Sequence, residues 1–123
     1  MSKVIKIKID SREPFSGFKL PVTAGQKIEF ACDRSQRWKD LFFKSSPNGF
    51  FNPLAWIAGL RVRGVKCFAL CGCYNDDVKT GFKIGTGRTI EIEKDGFLSF
   101  FANDTEGYYY NNYGSVELEI KTV

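Results

Sequence analysis

The chain has no histidine among its 123 residues. That single absence removes the usual general base near neutral pH and the commonest zinc ligand, and with them Ser-His-Asp triads, Cys-His dyads and histidine-based metal centres. There is also no apolar run approaching the roughly 20 residues of a membrane helix. The N-terminal stretch, Met1-Ser2-Lys3-Val4-Ile5-Lys6-Ile7-Lys8-Ile9, interrupts its isoleucines with lysine where a signal peptide needs unbroken apolarity. We therefore expect a soluble protein made in the cytoplasm without a signal peptide, reaching the cell surface or exterior, if at all, by another route. Four cysteines, Cys32, Cys67, Cys71 and Cys73, are expected to stay reduced there. They do not form two separated Cys-x2-Cys knuckles, so the cluster at 67–73 reads as small hydrophobes on a strand in preference to a zinc site.

What is present points to one all-β domain over residues 1–123. Hydrophobic residues make up 43% of the chain and aromatics 15%, enough to build a core, and twelve phenylalanines beside twelve glycines favour short strands and turns. Ile5, Ile7 and Ile9 alternate with lysines, Ile28 to Cys32 alternates after the Ala24-Gly25 turn signal, and Val116 to Ile120 alternates near the end. Leu60 to Cys73 supplies one or two strands and Phe97 to Ala102 a buried one. Phe82–Ile84 and Thr89–Glu93 read as a hairpin across Gly85-Thr86-Gly87, and Asp95-Gly96 as a type I′ turn. About eight strands with turns between them predict a β-sandwich. Residues 33–59 lack periodicity and are rich in aromatics, the mark of a functional loop, with at most one helical turn near 54–60.

The loop between the last two strands, Asn103-Asp104-Thr105-Glu106-Gly107-Tyr108-Tyr109-Tyr110-Asn111-Asn112-Tyr113-Gly114-Ser115, concentrates oxygen donors. Calcium takes six to eight oxygens at about 2.3–2.6 Å from carboxylates and carbonyls. Asp104 offers a carboxylate, Asn111 and Asn112 offer amide oxygens, and Gly107 permits the sharp turn that brings them to one ion. Asp and Asn are ordinary turn residues, but turn chemistry requires neither a doubled amide nor three tyrosines beside it. Polar groups next to aromatic faces suit a sugar.

The run Asn-Asp-x-x-Gly-x-x-x-Asn-Asn-x-Gly-Ser resembles the calcium loop of the bacterial galactophilic lectins of PA-IL type, specifically over residues 82–120 and colinearly from Ala24 to Cys73. The resemblance implies a jelly-roll-like, galactose-binding-domain-like β-sandwich, no catalytic activity, a homotetramer, and one calcium per chain ligated directly by two vicinal hydroxyls of galactose. By matching position, Asp104, Asn111 and Asn112 would be side-chain ligands and Tyr108 would give a backbone carbonyl. A second carbonyl would come from Trp38, thirteen residues on from Gly25. With one carboxylate, calcium affinity would be modest. Trp38, Asn52, Asp104, Asn111 and Asn112 would contact the sugar, with Pro53 and Trp56 as further candidates. Where the family has His-Pro-x-Gln, this chain has Asn52-Pro53-Leu54-Ala55. Asn52 retains a hydrogen-bonding group and Ala55 does not, which weakens galactose discrimination. The more apolar rim suggests a hydrophobic or aryl aglycone.

Two other functions fit parts of the sequence less well. The pI near 8.9 and the aromatic content allow a single-stranded nucleic-acid module, but the tyrosine-rich loop carries Asp104 and Glu106 and no lysine. A glycosidase needs two carboxylates facing across a cleft; Glu91 and Glu93 share one strand face and read as solvated.

Overall fold

Alternation in the first strand does what its pattern predicts. In the computed structural model, which describes residues 3–123, strand β1 (Lys3–Asp10) turns Ile5, Ile7 and Ile9 to the core, Ile9 completely buried. Met1 and Ser2, counted in the expected domain, lie outside the described residues. β1 edges an antiparallel sheet and pairs with β12 (Ser115–Thr122), followed by β3 (Lys27–Ala31) and β9 (Gly87–Glu91). Lys6 and Lys8 stand opposite Glu119 and Glu117 in register, where opposite charges contribute about 0.2–1 kcal/mol each and lysines discourage further edge pairing.

The second sheet runs β2 (Leu20–Val22), β10 (Gly96–Ala102) and β7 (Cys67–Tyr74). β7 then pairs with β6 (Asn48–Phe50) over its first half and with β8 (Asp77–Lys83) over its second. The main core joins Ile28, Phe30, Leu118 and Ile120 of the first sheet to Leu70, Leu98 and Phe100 of the second. Phe30 meets Phe100 edge to face at 5.8 Å between ring centres. A smaller cluster of Val62, Cys71, Cys73 and Phe101, joined by Phe15, Val65 and Val78, covers the other side of the second sheet. Burial on both faces explains why every residue of β7 is buried and why its sequence does not alternate. A third, small sheet, β11 (Asn112–Tyr113), β4 (Trp38–Asp40) and β5 (Phe43–Ser45), brings the aromatic-rich segment against the tyrosine loop. Helix α1 (Pro53–Ala58), capped by Asn52 and opened by proline, is the single helical turn expected there.

The all-β sandwich is as expected; three details differ. The extra strands beyond eight are pieces of two or three residues, too short to show a period. Residues 82–84 and 89–93 do not form a hairpin: β8 pairs with β7, whereas β9 pairs with β3 in the opposite sheet. Ile84 and Gly85 donate their N–H groups to the Leu70 carbonyl, and Gly85 at φ 61° turns the chain across the sandwich. The left-handed two-residue hairpin turn is Asn75-Asp76, at φ 54° and 57°, joining β7 to β8. Asp95-Gly96 instead joins strands of different sheets, and Asp95 accepts the Ala24 N–H at 2.9 Å.

Candidate cation and ligand site

The loop after β10 is anchored before it reaches the site. Asn103, fully buried, accepts the Val62 N–H and donates to the Val62, Val65 and Lys66 carbonyls. At the other end Tyr109 donates to the Ala102 carbonyl at 2.6 Å and accepts from Arg61 at 2.7 Å. The Arg61 guanidinium is packed between the rings of Phe15 and Phe101, 4.5 and 4.4 Å from their centres. Between these anchors Gly107 at φ 87° makes the expected turn, closed by Tyr108 N–H to the Thr105 carbonyl.

Asp104 is held there with its charge poorly hydrated. Its Oδ1 accepts the Thr105 N–H at 2.7 Å and its Oδ2 accepts from Asn112 Nδ2 at 3.1 Å. Burial pushes its carboxyl up to about 6, against these two bonds, and the nearby Asp40 charge adds to the shift. Asn112 spends its other amide hydrogen on the Ser11 carbonyl at 2.9 Å. With Nδ2 so committed, its orientation is set, and Oδ1 is left buried without a hydrogen-bond partner. Asn111 Oδ1 is likewise buried and unpartnered. An unpaired buried acceptor costs about 1–3 kcal/mol, so two amide oxygens left open beside a buried carboxylate make a set of donors that a cation would satisfy. One carboxylate and two unpartnered amide oxygens are donors of the type calcium takes.

A cavity of about 500 Å³ opens at this point. Asp104, Thr105, Tyr108 and Asn111 line it from the loop; Asn52, Pro53, Leu54 and Ala55 from α1 and its cap; Asp40, Leu41 and Phe43 from the small sheet. Most of this rim is apolar, and Leu54, 79% exposed, and Phe43, 57% exposed, project from it. Tyr108 stacks on Tyr110 at 6.4 Å. Asn52 uses Oδ1 to cap α1 through the Ala55 N–H at 3.3 Å. Asn112 is fully buried and bonded to Asp104, and is not itself among the lining residues. The structure thus brings together Asp104, Asn111, Asn112, Tyr108, Asn52 and Pro53.

The side chains of Trp38 and Trp56 lie apart from them. Trp38 has no exposed surface; its indole donates to the Phe68 carbonyl at 3.0 Å and meets the Phe68 ring edge to face. No face of it is open to a sugar. Just before it Asp33–Gln36 closes a turn, Gln36 N–H to the Asp33 carbonyl, reinforced by Ser35 N–H to the Asp33 carboxylate. The residues that reach the cavity from this segment are Asp40, Leu41 and Phe43. Leu41 has the left-handed φ of 58° and donates its N–H to the Asn111 carbonyl, tying the two walls together. Trp56 is exposed on the far side of α1 and lines a separate cavity of about 310 Å³ with Ile57, Leu60 and Arg63.

Asp40 and Cys67 are site residues that sequence spacing did not single out. Their donor atoms and that of Asp104 lie within 4.8 Å of one another, and Cys67 Sγ donates to Asp40 Oδ2 at 3.7 Å. Burial raises the Asp40 carboxyl from its ordinary value, against the Cys67 bond. The only signal for Asp40 is an acid two places beyond Trp38 in a segment without period.

A solved structure described as the N-terminal domain of EclA, a PllA-like lectin, is similar to this chain with a TM-score of 0.72. The two share 16% sequence identity, and the match covers 98% of this chain and 98% of that one. At that identity the likeness is one of fold. No protein-family model matches the sequence, and no curated protein does.

Proposed function

We propose that this protein is a calcium-dependent lectin without catalytic activity, binding terminal galactose or a related sugar with a suitable vicinal diol. The observation that carries this reading is the pair of buried, unpartnered amide oxygens, Asn111 Oδ1 and Asn112 Oδ1, beside the buried Asp104 carboxylate at a cavity of sugar size. Asp104, Asn111 and Asn112 are its side-chain ligands, with backbone oxygen from Tyr108. Trp38, whose indole is buried, would contribute only its backbone carbonyl. Bound there, calcium supplies Lewis acidity toward sugar hydroxyls. The chain's own residues fix the donors and exclude water through the apolar rim, while Asn52 presents an amide to a further hydroxyl. The lectin-like fold supports the same reading. A homotetramer belongs to it as well and would give avidity for multivalent glycans.

Titration calorimetry with paired galactosides tests both the cation and the rim. Methyl galactoside should bind in calcium and not in chelator. An aryl galactoside should bind about 3- to 10-fold more tightly, because part of its ring, roughly 30–60 Å², is buried against Leu54 and Phe43 at about 25 cal/mol per Å². Equal affinity of the two would remove the rim from the account; binding that ignores chelator would remove the calcium.

A further inference from the structure

We propose that Asp40, Cys67 and Asp104 form a site for a thiophilic divalent ion, Zn2+ being the expected one, and that this ion competes with calcium for Asp104. The competition rests on the calcium reading above; the metal site does not. Three donors of the right kind converge within 4.8 Å. Zinc bonds of about 2.3 Å to sulfur and 2.0 Å to oxygen make a tetrahedral S–O edge of about 3.5 Å, against the 3.7 Å found between Cys67 Sγ and Asp40 Oδ2. Neither carboxylate has a salt-bridge partner among the described residues. Against the same carboxylate, the fully buried Asn112 side chain, bonded to Asp104 Oδ2 through its Nδ2, keeps Oδ1 without a partner.

Cys67 is set apart from the other cysteines of its strand. Cys71 and Cys73 pack with Val62 and Phe101 on the opposite side of the sheet, whereas Cys67 belongs to the main core at the end nearest the cavity. Phe68 is the cause: it adopts φ 64°, a left-handed conformation rare for a bulky residue, so β7 does not keep regular alternation there. Its N–H to Asn103 and its carbonyl to the Trp38 indole hold it in place.

Burial keeps Cys67 a neutral thiol. Zinc coordination therefore exchanges the S–H bond for a Zn–S bond and releases one proton to solvent; nothing is oxidised or reduced. Calcium, a hard ion, gains little from sulfur, while zinc gains much. A four-coordinate zinc on three protein donors leaves one open place, where two vicinal hydroxyls need two. Zinc should accordingly oppose sugar binding.

Co2+ added to the intact protein reads the site directly. A thiolate-to-cobalt charge-transfer band is expected at one ion per chain, bleached by Zn2+, absent in Cys67→Ser, and needing at least about tenfold more cobalt in Asp40→Asn. Zn2+ should also weaken calcium binding by the wild-type protein in calorimetry. Because Cys67 is buried, circular dichroism must show Cys67→Ser folded; Asp40→Asn, at a half-buried position, carries the test if it is not. No band in the wild type, or an unchanged band in both variants, overturns the site. A band with calcium affinity indifferent to zinc overturns the competition. A band in a protein that binds no calcium leaves the zinc site standing and the calcium reading refuted.

Discussion

Asp104→Asn is expected to abolish calcium-dependent sugar binding while leaving the fold intact. The substitution keeps the side chain's shape and removes its charge. The remaining amide and backbone oxygens must then hold a divalent ion without the buried carboxylate. Breaking a buried charge contact costs about 3 kcal/mol or more, roughly a hundredfold in affinity. Thermal unfolding gives the cleanest comparison. For the wild type, calcium at about 100 times its Kd adds about 2.7 kcal/mol to stability, which for a chain of this length raises Tm by about 10 °C. Asp104→Asn should show no such rise at the same calcium concentration. A variant whose Tm still climbs by the wild-type amount would mean that the ion is held elsewhere.

Trp38→Ala should unfold the protein more readily than any substitution in the cavity lining. The indole is without exposed surface, meets Phe68 edge to face with ring centres 5.7 Å apart, and donates the one hydrogen bond to the Phe68 carbonyl. Truncating a buried tryptophan costs about 3–5 kcal/mol, a large share of the 5–15 kcal/mol typical of a domain. Trp38→Phe keeps a ring and loses the donor, costing about 1–3 kcal/mol. Urea denaturation measures both. Sugar affinity of the folded Trp38→Phe protein should match the wild type, because Trp38 has no face on the cavity. If Trp38→Phe melted like the wild type and lost sugar affinity, its assignment to the core would be wrong.

Trp38 also shows where the sequence stops informing. Strands whose one face meets water were legible because the pattern repeats: isoleucine with lysine in β1, glutamate with aliphatics in β12. β7 was only partly legible, since burial on both faces erases alternation. The misread hairpin at 82–93 has a similar origin. Two strands adjacent in sequence belong to different sheets, and local residues do not encode that crossing. In the site, Asp104, Asn111 and Asn112 come from one short loop whose spacing carries their proximity. Asp40 and Cys67 arrive from other strands, brought in by the β4–β11 pairing and by the left-handed Phe68, neither of which has a sequence signature. Burial of the Trp38 indole, which removes that side chain as a sugar contact, has no signature in the segment around it.

The most direct test of the central claim is a glycan array probed with the purified protein, once in calcium and once in chelator. Signal on galactose-terminated or related diol-bearing glycans that disappears in chelator is the predicted result. Binding equal in both conditions, or none in either, would contradict a calcium-dependent lectin.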